Sequence, residues 1–161
     1  MRVSGSMEVQ APIELVWSII ADPQRQLDFM SGVTRWETDS DIASGLGARY
    51  RMLLRIGSAE VGGLIELVEY EPPGDLAWTS VTGVDQRGRW RLRTGRGGRT
   101  RVELRLAYGV AGSGLWGWVA ERVAAPIVGG HIRASLQQLR RLIEQEQRRT
   151  RADARRAPTT A

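Results

Sequence analysis

Few side chains in this chain combine useful chemistry with a position to act on a small molecule, and most of them lie on segments of alternating polarity. In "ARYRMLLRI", Ala48, Tyr50, Met52, Leu54 and Ile56 share one parity, and Arg49, Arg51 and Arg55 share the other. "GRWRLRT" sets Trp90, Leu92 and Thr94 against Arg89, Arg91 and Arg93; "TRVELRLAY" sets Val102, Leu104, Leu106 and Tyr108 against Arg101, Glu103 and Arg105. A period of two marks strands with one dry and one wet face. Tyr50, Ser80, Thr82, Thr94 and Tyr108 fall on the dry parity, where a hydroxyl can hold an enclosed ligand, although each is equally an ordinary strand residue. Trp78 and Trp90 share that parity and offer flat surfaces to a planar or polyene ligand. The expected ligand-binding set is Tyr50, Met52, Trp78, Ser80, Trp90, Leu92, Leu104, Tyr108 and His131.

Proton transfer has three candidates, Tyr50, Glu121 and His131. Glu121 precedes Ile132 by eleven residues, about three helical turns, so an undisturbed helix buries it on the same face and raises its pKa. A break in register turns it to solvent beside Arg122 instead. His131, the only histidine, is either a general base or a ring bonded to backbone or water. Other chemistries find no support. The chain lacks cysteine, so disulfides, thiol nucleophiles and cysteine-ligated zinc are excluded, and one histidine argues against a metal site. There is no Gly-x-Ser-x-Gly, and "GRGG" lacks the lysine of a phosphate loop. No metal or cofactor is expected.

These residues need elements to position them. Residues 2–10 read as a strand, "APIELVWSIIADP" as a short amphipathic helix, and Asp22-Pro23 as the start of a second one ending near Met30. Strands follow from Val33 to Tyr108, with short links that imply antiparallel neighbours. The last apolar element is the helix after Gly114. There Trp116, Val119, Val123 and Ile127 form one stripe and Ile132, Leu136, Leu139 and Ile143 another, separated by a step of five. Pro126, Gly129 and Gly130 sit at that step, so the helix is expected to bend or unwind there, or to be covered on two sides.

With 161 residues, 42% of them hydrophobic, the chain suits one domain. Its formal charge of +5 is concentrated at the end, because "RRTRADARRAPTTA" holds five arginines and one aspartate. The expected division is a domain over 1–147 and a disordered, arginine-rich tail over 148–161. A nearly neutral body argues against nucleic acid as a partner. Wet-face arginines are expected to pair with Glu60, Glu66 and Glu103 rather than bind phosphate. Nothing resembles a signal core or membrane span, so a reducing cytoplasm is the expected setting. "LWGWVAERVAAPIV" and the tail together suggest transient contact with an anionic membrane, against the alternative that Trp116 and Trp118 fill space under the short helices. Oligomeric state stays open.

Three stretches carry a family resemblance: "VQAPIELVWSIIADPQRQLDFMSGV", "VEYEPPGDLAWTSVTG" and "GRWRLRTGRGGRTRVELRL". Over residues 2–147 the chain resembles the START/Bet v 1-like (SRPBCC) superfamily, within it the polyketide cyclase/dehydrase-type branch. The resemblance implies an α+β helix-grip fold: about seven antiparallel strands wrapped around a long C-terminal helix, two short helices after the first strand, and a cavity between sheet and helix. It implies an apolar small molecule, such as a lipid, isoprenoid or polyketide, bound or carried there. A polyketide aromatase/cyclase and a membrane-docking lipid transfer protein are the alternatives.

Overall fold

The computed structural model describes residues 1–109 and 115–156, and in the last helix the side chains from 122 onward. Strand β1 (Arg2–Val9) leads into helix α1 (Ile13–Ile20), a single 3-10 turn (Pro23–Arg25) and helix α2 (Gln26–Phe29). Six strands follow: β2 (Val33–Thr38), β3 (Arg49–Ile56), β4 (Ala59–Glu71), β5 (Asp75–Ser80), β6 (Gln86–Thr94) and β7 (Thr100–Tyr108). Helix α3 (Leu115–Arg156) closes the described chain. The strands form one antiparallel sheet in the order β1-β7-β6-β5-β4-β3-β2. This is the helix-grip α+β fold.

The alternation read from the sequence becomes burial. On β7, Val102, Leu104, Leu106 and Tyr108 point inward while Arg101 and Arg105 are exposed. Asp22 caps the 3-10 turn, its Oδ1 accepting from the Gln24 backbone N–H at 2.9 Å, with Pro23 behind it. The long strand β4 approaches its neighbours too closely for side chains at Gly62 and Gly63. A Cβ on Gly62 would lie 2.1 Å from the Met52 carbonyl oxygen, and one on Gly63 would lie 2.1 Å from that of Thr82.

Two expectations for the last helix need correcting. It does not unwind at Pro126 to Gly130; α3 runs unbroken through them. Its buried stripe is Val128, Ile132, Leu136, Leu139 and Ile143, in steps of four, four, three and four, with Ser135 beside it, while Val123 is 60% exposed. Val128, not Ile127, continues the inner face, so the step of five disappears. Each fully buried aliphatic on this stripe contributes roughly 1.5–3 kcal/mol. The second correction is that α3 continues as exposed helix to Arg156, so most of the expected disordered tail is helical. Trp116, Trp118 and the Glu121 side chain lie outside the described residues.

Candidate functional site

Where β3 and β7 face α3, Met52, Leu54, Leu104, Leu106, Val128 and Ile132 enclose an apolar space, joined by Met30 and Ser31 from the α2–β2 link and by Val33 at the start of β2. Its polar groups are Tyr108, His131, Ser31 and Ser135. The space measures about 10 Å³, room for roughly one water. The cavity expected between sheet and helix is nearly closed at this point.

The Tyr108 hydroxyl is buried with no hydrogen-bond partner among the described residues. Burial pushes its pKa well above the ordinary tyrosine value. His131 lies opposite, on α3, with Nε2 2.9 Å from the Arg55 carbonyl oxygen. A carbonyl only accepts, so Nε2 carries the hydrogen and Nδ1 of the neutral ring keeps a lone pair. The ring also fills a notch over Gly32, where a Cβ would come within 2.6 Å of it. One turn further along α3, the Ser135 hydroxyl donates to the His131 carbonyl at 2.8 Å and accepts from the Ser31 backbone N–H at 2.8 Å. His131 and Ser135 thus fasten α3 to β3 and to the α2–β2 link.

Tyr50 and Trp78 occupy a separate small void with Ile20, Gln26, Trp36, Leu67 and Leu76, also about 10 Å³. Tyr50 donates to the Ala43 carbonyl at 2.9 Å and stacks on Trp36 with ring centroids 5.1 Å apart. Its pKa is pushed up to about 12, first by burial and then by nearby Tyr70. The indole N–H groups of Trp36 and Trp78 are buried without partners among the described residues. Trp78 lies flat over Gly88, where a Cβ would fall 1.9 Å from its ring.

The nine expected ligand residues therefore divide. Met52, Leu104, Tyr108 and His131 line one space; Tyr50 and Trp78 line another. Trp90 and Leu92 are packed in the core, Trp90 meeting Phe29 edge-on with centroids 6.0 Å apart. Ser80 ends β5, where its hydroxyl accepts from the Gln86 backbone N–H across the turn at 3.2 Å. Thr82, beyond the end of β5, and Thr94, the last residue of β6, are both exposed. Sequence reasoning missed Ser31, Ser135 and Trp36. Ser135 sits one turn after His131 between Ile132 and Leu136, a spacing that already placed it on the buried stripe.

The wet face is largely neutralised. Arg49 pairs with Glu66 at 2.8 Å and Arg55 with Glu60 at 3.2 Å, each pair in cross-strand register, while Glu103 pairs within its own strand with Arg105 at 2.7 Å. Asp75 was not anticipated. Its side chain is 12% exposed and meets Arg93 at 2.8 Å, Arg91 at 3.3 Å and Arg89 at 3.7 Å. Burial alone would raise its pKa, but hydrogen bonds and charge from these arginines outweigh it and hold the carboxyl below its usual range. Among the described residues, no three His, Asp or Glu side chains gather to hold a metal, and no helix is long and apolar enough to cross a membrane.

Fold and site together define a helix-grip domain with an apolar interior and a few isolated hydrogen-bonding groups. The chain belongs to the family described as polyketide cyclase/dehydrase and lipid transport, whose pattern matches residues 1–144. Among solved structures it is similar to TTHA0849 from Thermus thermophilus, at 19% identity and TM-score 0.78 over 91% of this chain and 99% of that one. It is also similar to the ZhuI aromatase/cyclase from Streptomyces sp. R1128, at 20% identity and TM-score 0.75 over 90% of this chain and 94% of that one. For DR_A0006 from Deinococcus radiodurans the values are 20%, 0.65, 88% and 95%. These structural likenesses show the shared fold alone. A search of curated proteins finds no match.

Proposed function

We propose that the protein binds an apolar small molecule bearing an oxygen function between β3, β7 and α3, acting in the cytoplasm. The observation that carries this is Tyr108, a buried hydroxyl with no partner among the described residues, set in an apolar wall. Leaving such a group unsatisfied costs about 1–3 kcal/mol, which a ligand carbonyl or hydroxyl would recover. The space must widen to admit it, and α3 is the element whose displacement would do so. Mass spectrometry of organic extracts from natively purified protein tests the reading. An apolar compound should be present, and it should rebind Tyr108→Phe about tenfold more weakly, the equivalent of one lost hydrogen bond. An empty extract, or equal rebinding, overturns the assignment.

A second reading, cyclisation of a poly-β-keto chain, draws on the family description and on His131. With Nε2 committed to Arg55, Nδ1 can accept a proton, and Tyr108, lining the same space, can donate one to a developing enolate oxygen. Cyclisation that persists in both His131→Asn and Tyr108→Phe would exclude that mechanism. A third reading is transient docking on an anionic membrane, supported by the exposed arginines that α3 carries beyond the domain.

A further inference from the structure

The outer face of the sheet carries a trough that none of these readings uses. Its floor is a row of register partners, Trp78, Gly88, Leu106 and Val3, running across β5, β6, β7 and β1. Trp78 and Leu106 turn their side chains into the core and Gly88 has none, so the floor is essentially backbone. Outward-facing rows border it on both sides. One row places Arg87 and Arg2 on either side of Ala107; the other places Arg89 directly opposite Arg105. Thr79, Ala77 and Ser4 add small side chains, and the exposed Val68 stands at the β4 end. The volume is about 810 Å³, within the rough 300–1,000 Å³ range of small-ligand sites.

Charge makes the trough more than a groove. Four arginines and no carboxylate line it. Opposed like charges such as Arg89 and Arg105 destabilise a sheet, and each is drawn back by an acid outside the trough, Arg89 by Glu69 at 2.5 Å and Arg105 by Glu103 at 2.7 Å. Arg2 and Arg87 have no ion-pair partner among the described residues. Only the methyl of Ala107 stands between them. Planar guanidinium forks on two sides of a gap suit a tetrahedral oxyanion. Width discriminates further: the bordering rows are two residues apart, about 7 Å, and the floor spans four strands, about 14 Å. A helix of an acidic protein, about 10 Å across, is too wide to lie between them.

We propose that this trough binds the phosphate or diphosphate ester of a small molecule, with the phosphate between Arg2 and Arg87 and the remainder along the floor toward Thr79. The proposal is independent of the interior site. Calorimetric titration of the full chain with inorganic pyrophosphate tests it. Saturable binding that weakens with salt is expected, with at least a tenfold loss both in Arg2→Gln/Arg87→Gln and in Ala107→Leu, which fills the gap. All these positions face outward, so unfolding temperatures should stay close to the parent's. As a control of equal charge, Arg133→Gln/Arg141→Gln on the exposed side of α3 should bind like the parent. Absence of saturable binding by the parent overturns the proposal, as does equal loss in the control or unchanged affinity in both trough variants. Tighter binding of a polyglutamate peptide than of pyrophosphate would assign the trough to an acidic polypeptide and overturn it as well.

Discussion

Tyr108 and Tyr50 show how differently two buried phenols can be placed. Tyr50 donates to Ala43, whereas Tyr108 donates to nothing among the described residues. Removing the Tyr50 hydroxyl therefore forfeits a hydrogen bond, and Tyr50→Phe should cost about 1 kcal/mol in urea unfolding. Tyr108→Phe deletes an unsatisfied group, so it should be neutral or stabilising while ligand affinity falls. That opposition separates a binding role from a packing role. Both phenols have raised pKa values, so the folded state holds their protons more tightly than the unfolded chain does. Their contribution is intact below the unfolded value of about 10. It is lost as pH rises from there through about 12 for Tyr50 and beyond for Tyr108. Urea midpoints measured across that window should decline, less steeply in Tyr50→Phe and least in the double Phe variant. Parity alone placed both rings indoors, because a strand's two faces are written in its alternation. It did not separate their two voids, which depend on Trp36 and on where α1 and α2 cross the sheet.

At the scale of the element, α3 holds the main difference between sequence and structure. Spacing identified the inner residues from Ile132 to Ile143, but it set Ile127 on the stripe of Val123, four residues earlier, and passed over Val128, which lies four residues before Ile132. Packing chose Val128, which is fully buried. The Pro126 and glycine signals suggested a break, yet α3 is helical through them. What the glycines do is testable. A Cβ on Gly130 would meet nothing within 4 Å, so Gly130→Ala should gain up to about 1 kcal/mol from helix propensity alone. If α3 must yield to admit a ligand, the same variant should load it more slowly in stopped-flow mixing; unchanged loading would remove Gly130 from the opening motion. Gly32 gives the opposite result, since it holds φ at +81° beneath the His131 ring. Gly32→Ala should destabilise the fold by more than about 1 kcal/mol, through strain and through displacement of the Nε2 bond to Arg55.

For the whole molecule, charge is divided between three surfaces. The sheet's outer acids neutralise much of its arginine, leaving the trough around Arg2 and Arg87 as the local excess. The far end of α3 is the third surface, and its arginines were legible from the sequence as a cluster. Their helical state was not, because composition reports charge and says nothing of a helix propagated from a well-packed stretch. Ile143 is the last buried residue on that helix, and everything from Arg148 to Arg156 is exposed. We propose that residues 1–147 fold without the remainder. Deleting 148–161 should therefore leave the thermal midpoint within a few degrees of the parent's, with helical circular dichroism reduced by the lost turns. The deleted segment carries +4 of the formal +5 charge, and on a protruding helix those arginines can reach an anionic surface together. Sedimentation with phosphatidylserine-containing vesicles should fall sharply on truncation and, for the full chain, with added salt, while neutral vesicles should bind neither form. Equal sedimentation of the two forms at low salt would remove the arginines from any membrane role, and no sedimentation of either would remove the membrane reading itself.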